Sequence, residues 1–308
     1  MHRFISVHLF MYNSPQSGEF MARELTRVQK IEQSIITKYR KVIWAPFLTA
    51  INTYELIQPN DRIAVCISGG KDSMLLAKLM QMLQVHSKVP FELVFLSMDP
   101  GYKEENRIKI RENAEILGID LSFFETNIFE VAQSLADKPC YMCARMRRGH
   151  LYNRARELGC TKIALGHHLN DVIETTVMSM FYSSKLETII PKALSKNFGE
   201  MELIRPLYRV KEQDILAWAR YNDLSFINCA CKFTEENEKS GEITSKRLEV
   251  KLLLNELKKN NPEIEDNIFR AMHAVYLKTF PGYKTDDGRY SFLDFYPDGI
   301  MLSKQTED

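Results

Sequence analysis

The stretch Ile67-Ser68-Gly69-Gly70-Lys71-Asp72-Ser73 constrains this chain more than any other. It follows a short apolar run rich in β-branched residues, Arg62–Ile67, and leads into Asp72–Leu83, which has helical character. The run predicts a buried strand, and the loop therefore joins a strand to a helix. Two glycines let the backbone turn tightly and come close to an anion. The helix N-terminus behind them offers N–H groups without intrahelical partners and the positive end of a dipole. Ser68, Lys71 and Ser73 add side-chain donors. At the end of a strand in an α/β sheet, such a loop binds phosphate. It is not a Walker loop, which needs G-x-x-x-x-G-K-S/T, because here an acid follows the lysine directly.

The rest of the chain continues the alternation. Phe91–Met98 and Lys162–Leu165 read as further buried strands and Leu121–Phe124 as a shorter one, with Glu202–Ile204 leading into Arg205-Pro206. Lys103–Leu117, stopped by Gly118, and Leu169–Phe181 and Val210–Asn222 read as helices. Strands that are continuously apolar and separated by helices indicate a parallel sheet covered on both faces. The expected fold class is therefore α/β. With 308 residues, 45% hydrophobic and 26% charged, the chain has material for a real core. Ile243–Asn260 and Ile264–Thr279 predict two more helices divided by Asn261-Pro262, and the stretch from Pro281 onwards shows no period.

Charge narrows the partners. Lys and Arg total 41 against 40 Asp and Glu, so overall charge cannot drive binding to nucleic acid and a local patch must do it. One basic region is Ala22–Lys41, where Val28, Ile31, Ile35 and Ile36 recur at helical spacing. It reads either as a solvated helix packed on the domain or as an arm that touches a polyanion. The strongest positive segment is Lys138–Lys162, with seven basic residues and one acid. Arg145, Arg147 and Arg148 stand there with Tyr141 and Tyr152, residues able to bind phosphates and stack on bases. The other reading of this segment is an exposed basic helix face or part of the nucleotide site. No apolar run approaches the ~18 residues of a membrane span, and Met1–Phe10 lacks the features of a signal peptide. The expected setting is the cytoplasm, with no membrane partner.

Two further strand ends supply a nucleotide site. Met98-Asp99-Pro100-Gly101 closes one strand, and Gly166-His167-His168-Leu169-Asn170-Asp171 closes another and opens a helix. Asp72 and Asp171 are the better Mg²⁺ candidates, since this ion prefers carboxylate and phosphate oxygens. His167 and His168 read as cofactor-facing or as capping and packing histidines. Cys140-Tyr141-Met142-Cys143 and, far along the chain, Cys229-Ala230-Cys231 are paired cysteines, and spacing alone leaves zinc, an iron–sulfur cluster and a redox disulfide open. Cys66 and Cys160 read as buried small hydrophobes.

The six-residue loop S-G-G-K-D-S resembles the pyrophosphate loop of the ATP pyrophosphatase (N-type, PP-loop) superfamily. Taken with C-x-x-C-A-R-M-R-R-G-x-L-Y, K-I-A-L-G-H-H-x-x-D, I-R-P-L and a second cysteine pair, it resembles the tRNA 2-thiocytidine synthetase family from about Arg62 to Cys231. The family's second pair is C-x-x-C, one residue longer than the pair here. The resemblance implies a Rossmann-like parallel sheet of the PP-loop type, with added N- and C-terminal helices. It implies an ATP and iron–sulfur domain at 58–233; the residues themselves read as an extension at 1–20, a basic helical region at 21–57 and a helical region with a tail at 234–308, the last not explained by the resemblance.

The resemblance also implies roles. ATP would be held by Ser68, Gly69, Gly70, Lys71, Asp72, Ser73, Met98, Gly166 and His167. Lys71, Asp72 and Asp171 would serve the chemistry with Mg²⁺. An oxygen-sensitive 4Fe–4S cluster would sit on Cys140, Cys143 and one of Cys229 and Cys231. Arg145, Arg147 and Arg148 would contact tRNA. The implied reaction adenylates cytosine O2, releases pyrophosphate and replaces the oxygen with sulfur from a cysteine desulfurase-type donor. A homodimer is the family expectation. Two other readings remain: the same chemistry on another RNA base or a small molecule, and a nucleotide- and cluster-binding sensor without turnover.

Overall fold

The computed structural model describes residues 24–129, 131, 139–195, 201–227, 246–294 and 296; for 139–141, 143 and 144 it describes the backbone alone. The chain divides into two compact units, Met1–Lys251 and Leu252–Asp308. The first is built on a six-stranded sheet in the order β3-β2-β1-β4-β6-β5. Its strands are β1 (Arg62–Ile67), β2 (Glu92–Asp99), β3 (Leu121–Glu125), β4 (Lys162–Ala164), β5 (Lys192–Leu194) and β6 (Glu202–Ile204).

β1 shows why the strand runs are continuously apolar. Ile63, Val65 and Ile67 enter one core cluster, while Ala64 and Cys66 enter another. Alternate side chains of one strand thus face opposite sides of the sheet, and both sides are covered. On the first side lie α1 (Arg27–Ile36), α2 (Ala45–Thr53), α3 (Lys71–His86), α4 (Glu104–Leu117) and α7 (Glu212–Tyr221), whose buried residues include Ile35, Phe47, Leu75, Ile110 and Trp218. On the second lies α5 (Pro139–Glu157), through Tyr152 and Ala155. α6 (Leu169–Ser183) follows β4. Gly118 ends α4 as expected, at φ +64° with its N–H on the Ala114 and Glu115 carbonyls.

Four expectations need correction. The basic helix expected over 22–41 is only α1, because Thr26 caps it by exchanging hydrogen bonds with Gln29 and the chain then breaks at Thr37. A five-residue π-helical turn, Arg40–Trp44, carries it into α2. Ile31 and Ile35 are buried, but Ile36 from the expected apolar stripe is 40% exposed. The sheet is not wholly parallel: β5 pairs antiparallel with β6, since the chain between them is too short for a crossover. Beyond Lys251, α8 (Lys246–Asn260) continues and is followed by α9 (Ile264–Met272), which stops well short of Thr279. The stretch read as lacking a period holds a hairpin, β7 (Gly282–Thr285) with β8 (Gly288–Ser291), closed by stacked Tyr283 and Tyr290. The two residues between the strands are Asp286-Asp287, and Gly288 opens β8. Among the described residues no helix is long and apolar enough to cross a membrane.

Lys162 fixes the centre of the sheet. Its side chain is 4% exposed, yet its ammonium lies 2.9 Å from both Asp61 and Glu202 and donates to the Leu56 carbonyl at 3.0 Å. Burial raises the Glu202 carboxyl, but Lys162 and Lys192 outweigh it and hold it below the usual range. Lys162→Ala leaves Asp61 and Glu202 without their buried partner. It should lower unfolding free energy by about 3–5 kcal/mol, read from the urea midpoint at neutral pH.

Candidate nucleotide site

The strand order turns back on itself at β1. The chain runs outward through β2 and β3, then returns to add β4 on the other edge of β1. Where an open sheet reverses, the loops leaving the two central strands part and open a crevice at their C-terminal ends. The glycine loop leaves β1 there, and Gly166-His167 leaves β4 beside it.

The loop is ordered by its own serines. Ser68 N–H donates to Ser73 Oγ at 3.1 Å, and the two hydroxyls lie 3.2 Å apart. Ser73 Oγ donates to the Gly70 carbonyl at 2.9 Å. Gly69 sits at φ +85°, and a Cβ there would meet Ile110 at 2.6 Å and Ile227 at 2.7 Å. A Cβ on Gly166 would stand 3.1 Å from the backbone of Asp72 and Ser73. Glycine at both positions lets the β4 end press against the start of α3, whose first N–H groups face the crevice.

A cavity of about 400 Å³ occupies the crevice, a size suited to a small ligand. Its wall includes Ser68, Asp72, Ser73, Met98, Gly166 and His167, all expected from sequence. Arg147 and Arg148 of α5 complete it, and Arg147 donates to the Tyr102 hydroxyl at 3.1 Å. Arg145, from the same helix, is exposed and does not line it. Among the described residues, Asp72 Oδ1 and His167 Nδ1 are buried without a hydrogen-bond partner, and both residues belong to the cavity wall. Orphaned polar atoms there suit a ligand that supplies a cation and a donor. Burial pushes His167 down to about 4, so it is neutral at physiological pH. His168 takes the capping role instead: its ring accepts from Asp171 N–H at 3.3 Å while its own N–H donates to Asp171 Oδ2 at 3.0 Å.

Ion pairs tie the loop to later parts of the chain. Lys71 Nζ lies 3.1 Å from Asp72 Oδ2 and 3.1 Å from Glu212 Oε1 at the start of α7. Burial lowers the Lys71 ammonium, but these two carboxylates prevail and raise it. Glu212 is itself pushed up by burial, yet Lys251 and Lys71 hold it at about 2. Arg247 lies 2.8 Å from Asp171 Oδ1. Glu212, Arg247 and Lys251 carry no motif and were missed in the sequence; only the folding of α7 and α8 onto the loop reveals them. Asp99, by contrast, is wholly buried and spent on structure: it accepts from the Gly101 and Tyr102 N–H groups and from Arg107.

Asp72 and Asp171 are the carboxylates that could hold a divalent ion beside phosphate. Cys140 and Cys143 lie three residues apart near the start of α5. Cys229 and Cys231 lie outside the described residues. Thiolates three residues apart form a donor set suited to iron–sulfur or zinc. Cys66 and Cys160 are buried as expected, and burial pushes the Cys66 thiol up to about 12.

Residues 37–234 match the family model of the PP-loop domain. A tRNA-cytidine(32) 2-sulfurtransferase of Vibrio cholerae serotype O1 is 34% identical over 281 residues, 89% of this chain and 85% of the relative. One of Neisseria meningitidis serogroup C is 41% identical over 186 residues, 58% of this chain and 57% of the relative. Among solved structures, the U34-tRNA thiolase of Methanococcus maripaludis, determined with its 4Fe–4S cluster, superposes with a TM-score of 0.58 at 19% identity, covering 84% of this chain and 89% of that one. That likeness concerns the fold.

Gly69→Ala should strain the loop at its positive φ and press a methyl group into Ile110 and Ile227. The expected cost is about 1–3 kcal/mol in denaturant unfolding. Weaker binding of a non-hydrolysable ATP analogue, followed by calorimetric titration, should accompany it.

Proposed function

Because this chain belongs to the tRNA-cytidine(32) 2-sulfurtransferase family of PP-loop proteins, we propose that it thiolates tRNA at the expense of ATP, converting a cytosine to 2-thiocytidine. The observation that carries this reading is the crevice itself. A phosphate loop at the sheet's reversal point faces a cavity that has unpartnered Asp72 and His167 atoms on one side and Arg147 and Arg148 on the other.

In this reading the loop N–H groups, Ser68 and Ser73 hold the ATP phosphates at the α3 N-terminus. Met98, Gly166 and His167 line the nucleoside end. The cytosine O2 attacks the α-phosphorus of ATP, the bond to the bridging oxygen breaks, and pyrophosphate leaves. Lys71 offsets the charge that builds on the departing phosphates; Asp72 and Asp171 would hold Mg²⁺, which would supply further positive charge to them. The O2–AMP bond turns a poor leaving group into a good one. A sulfur nucleophile then adds to C2, and AMP departs with the original oxygen.

A 4Fe–4S cluster on Cys140, Cys143 and one of Cys229 and Cys231 would supply an iron without a protein thiolate, where sulfur from a desulfurase-type donor can be carried. Arg145, Arg147 and Arg148 attract the tRNA backbone, and Arg147 and Arg148 reach the cavity where the base must enter. Neutral His167 and the buried wall exclude water from the adenylated base, whose hydrolysis would waste ATP.

Two substitutions separate the two halves of the chemistry. Lys71→Ala should lower ATP turnover by roughly 10²-fold or more while iron and sulfide content stay at wild-type levels. Cys140→Ala should abolish 2-thiocytidine in tRNA, measured by nucleoside mass spectrometry in a deletion strain, and reduce iron content. Normal 2-thiocytidine in the deletion strain would show that the substrate is not this tRNA base.

A further inference from the structure

The first two turns of α8 place two cations on the acids around the phosphate loop. Arg247 donates from Nη1 to Asp171 Oδ1 at 2.8 Å and from Nη2 to Thr175 Oγ1 at 3.1 Å, with Glu174 Oε2 at 3.5 Å. Lys251 Nζ lies 2.6 Å from Glu212 Oε2, and the other oxygen of that carboxylate holds Lys71. The Glu212 N–H is in turn fixed by Asn170 Oδ1 at 2.9 Å, one residue before Asp171. The two contacts therefore converge on the same corner of the site from one helix face, four residues apart.

The exposure of these cations matters. The side chains of Arg247 and Lys251 are 42% and 41% exposed, whereas Asp171 and Glu212 are 21% and 17% exposed. Pairs with one arm in water add little to stability. They do keep a guanidinium and an ammonium within reach of a ligand arriving from solvent. Charge points the same way. Lys71, Arg247 and Lys251 balance Asp72, Asp171 and Glu212, and burial raises Glu174 to about 7, so it adds only part of a charge. A cluster that is nearly neutral at rest must redistribute its pairs when a polyphosphate enters, because phosphate oxygens compete with carboxylates for the same N–H donors.

We propose that Arg247 and Lys251 form a polyphosphate clamp, held ready on Asp171 and Glu212 and transferred to the outer phosphates of ATP when the nucleotide binds. The clamp rests on the ATP-dependent reading above and adds two binding residues from a helix that no phosphate motif marks. The guanidinium fork of Arg247 suits two phosphate oxygens at once, and Lys251 serves as a point charge beside Lys71. Neither residue lines the cavity wall, and Lys251 meets the loop through the Glu212 carboxylate that it shares with Lys71. When Arg247 moves off, the Asp171 carboxylate becomes available to the divalent ion that accompanies ATP.

The test compares a non-hydrolysable ATP analogue with AMP by equilibrium titration of the full-length protein. Arg247→Ala should weaken the analogue about 10- to 100-fold while AMP affinity changes by less than about twofold; Lys251→Ala should act in the same direction, and Arg247→Lys should recover part of the loss. Unchanged analogue affinity in Arg247→Ala overturns the clamp. So does an equal loss for the analogue and AMP with a lowered melting temperature, which would make Arg247 only a fastening for α8. Lys71→Ala is the control that separates the two ideas. If it loses the analogue while Arg247→Ala does not, the ATP site stands and the clamp falls. If the wild-type protein binds no analogue, both fall.

Discussion

The reversal of strand order at β1 is the constraint on which the rest of this structure depends. β1 is buried on both faces and paired on both edges, so the chain leaving its C-terminal end has nowhere to go but into the crevice beside β4. The glycine loop is held against the β4 end so closely that a single Cβ at Gly166 would crowd the Asp72–Ser73 backbone. Close contact of two backbones, rather than any one side chain, sets where phosphate can sit.

Around that corner the protein uses its charges in two ways. Lys162 is the most buried member of its set at 4% exposed, with Asp61 at 10% and Glu202, which also meets Lys192, at 23%, and its ammonium fastens the sheet from between the two acids. Lys71, Glu212, Lys251, Asp171 and Arg247 form a wetter set, in which each acid has a cation that a phosphate could take. The difference is dielectric. Exchange of partners is cheap where water reaches the cation, as at Arg247 and Lys251, and costly where the cation is buried, as at Lys162. A site that must accept and release a polyanion needs the second kind.

The two histidines after β4 make a similar division at shorter range. His168 is occupied in capping α6 through Asp171, and its neighbour His167, a cavity-wall residue, has a buried ring nitrogen with no hydrogen-bond partner among the described residues. One dipeptide therefore supplies both a helix cap and a cavity-lining ring.

Much of this was legible in the order of the residues. The loop Ser68–Ser73, the strand–helix alternation, the stop at Gly118 and the cavity residues Met98, Gly166 and His167 are local signals: a turn that needs glycine, a period, a cap, a strand end. They are fixed by chemistry within a few residues, so the sequence by itself determines them. It does not determine the antiparallel edge at β5, the break in the basic helix after Thr37, or the approach of Glu212, Arg247 and Lys251 to the loop. Those depend on which distant segments meet. An acid at the start of one helix and two cations on another look like ordinary solvated charges until packing brings them within hydrogen-bond distance of Lys71 and Asp171. Only the tertiary structure decides that, because an ion pair forms through space and leaves no period in the chain.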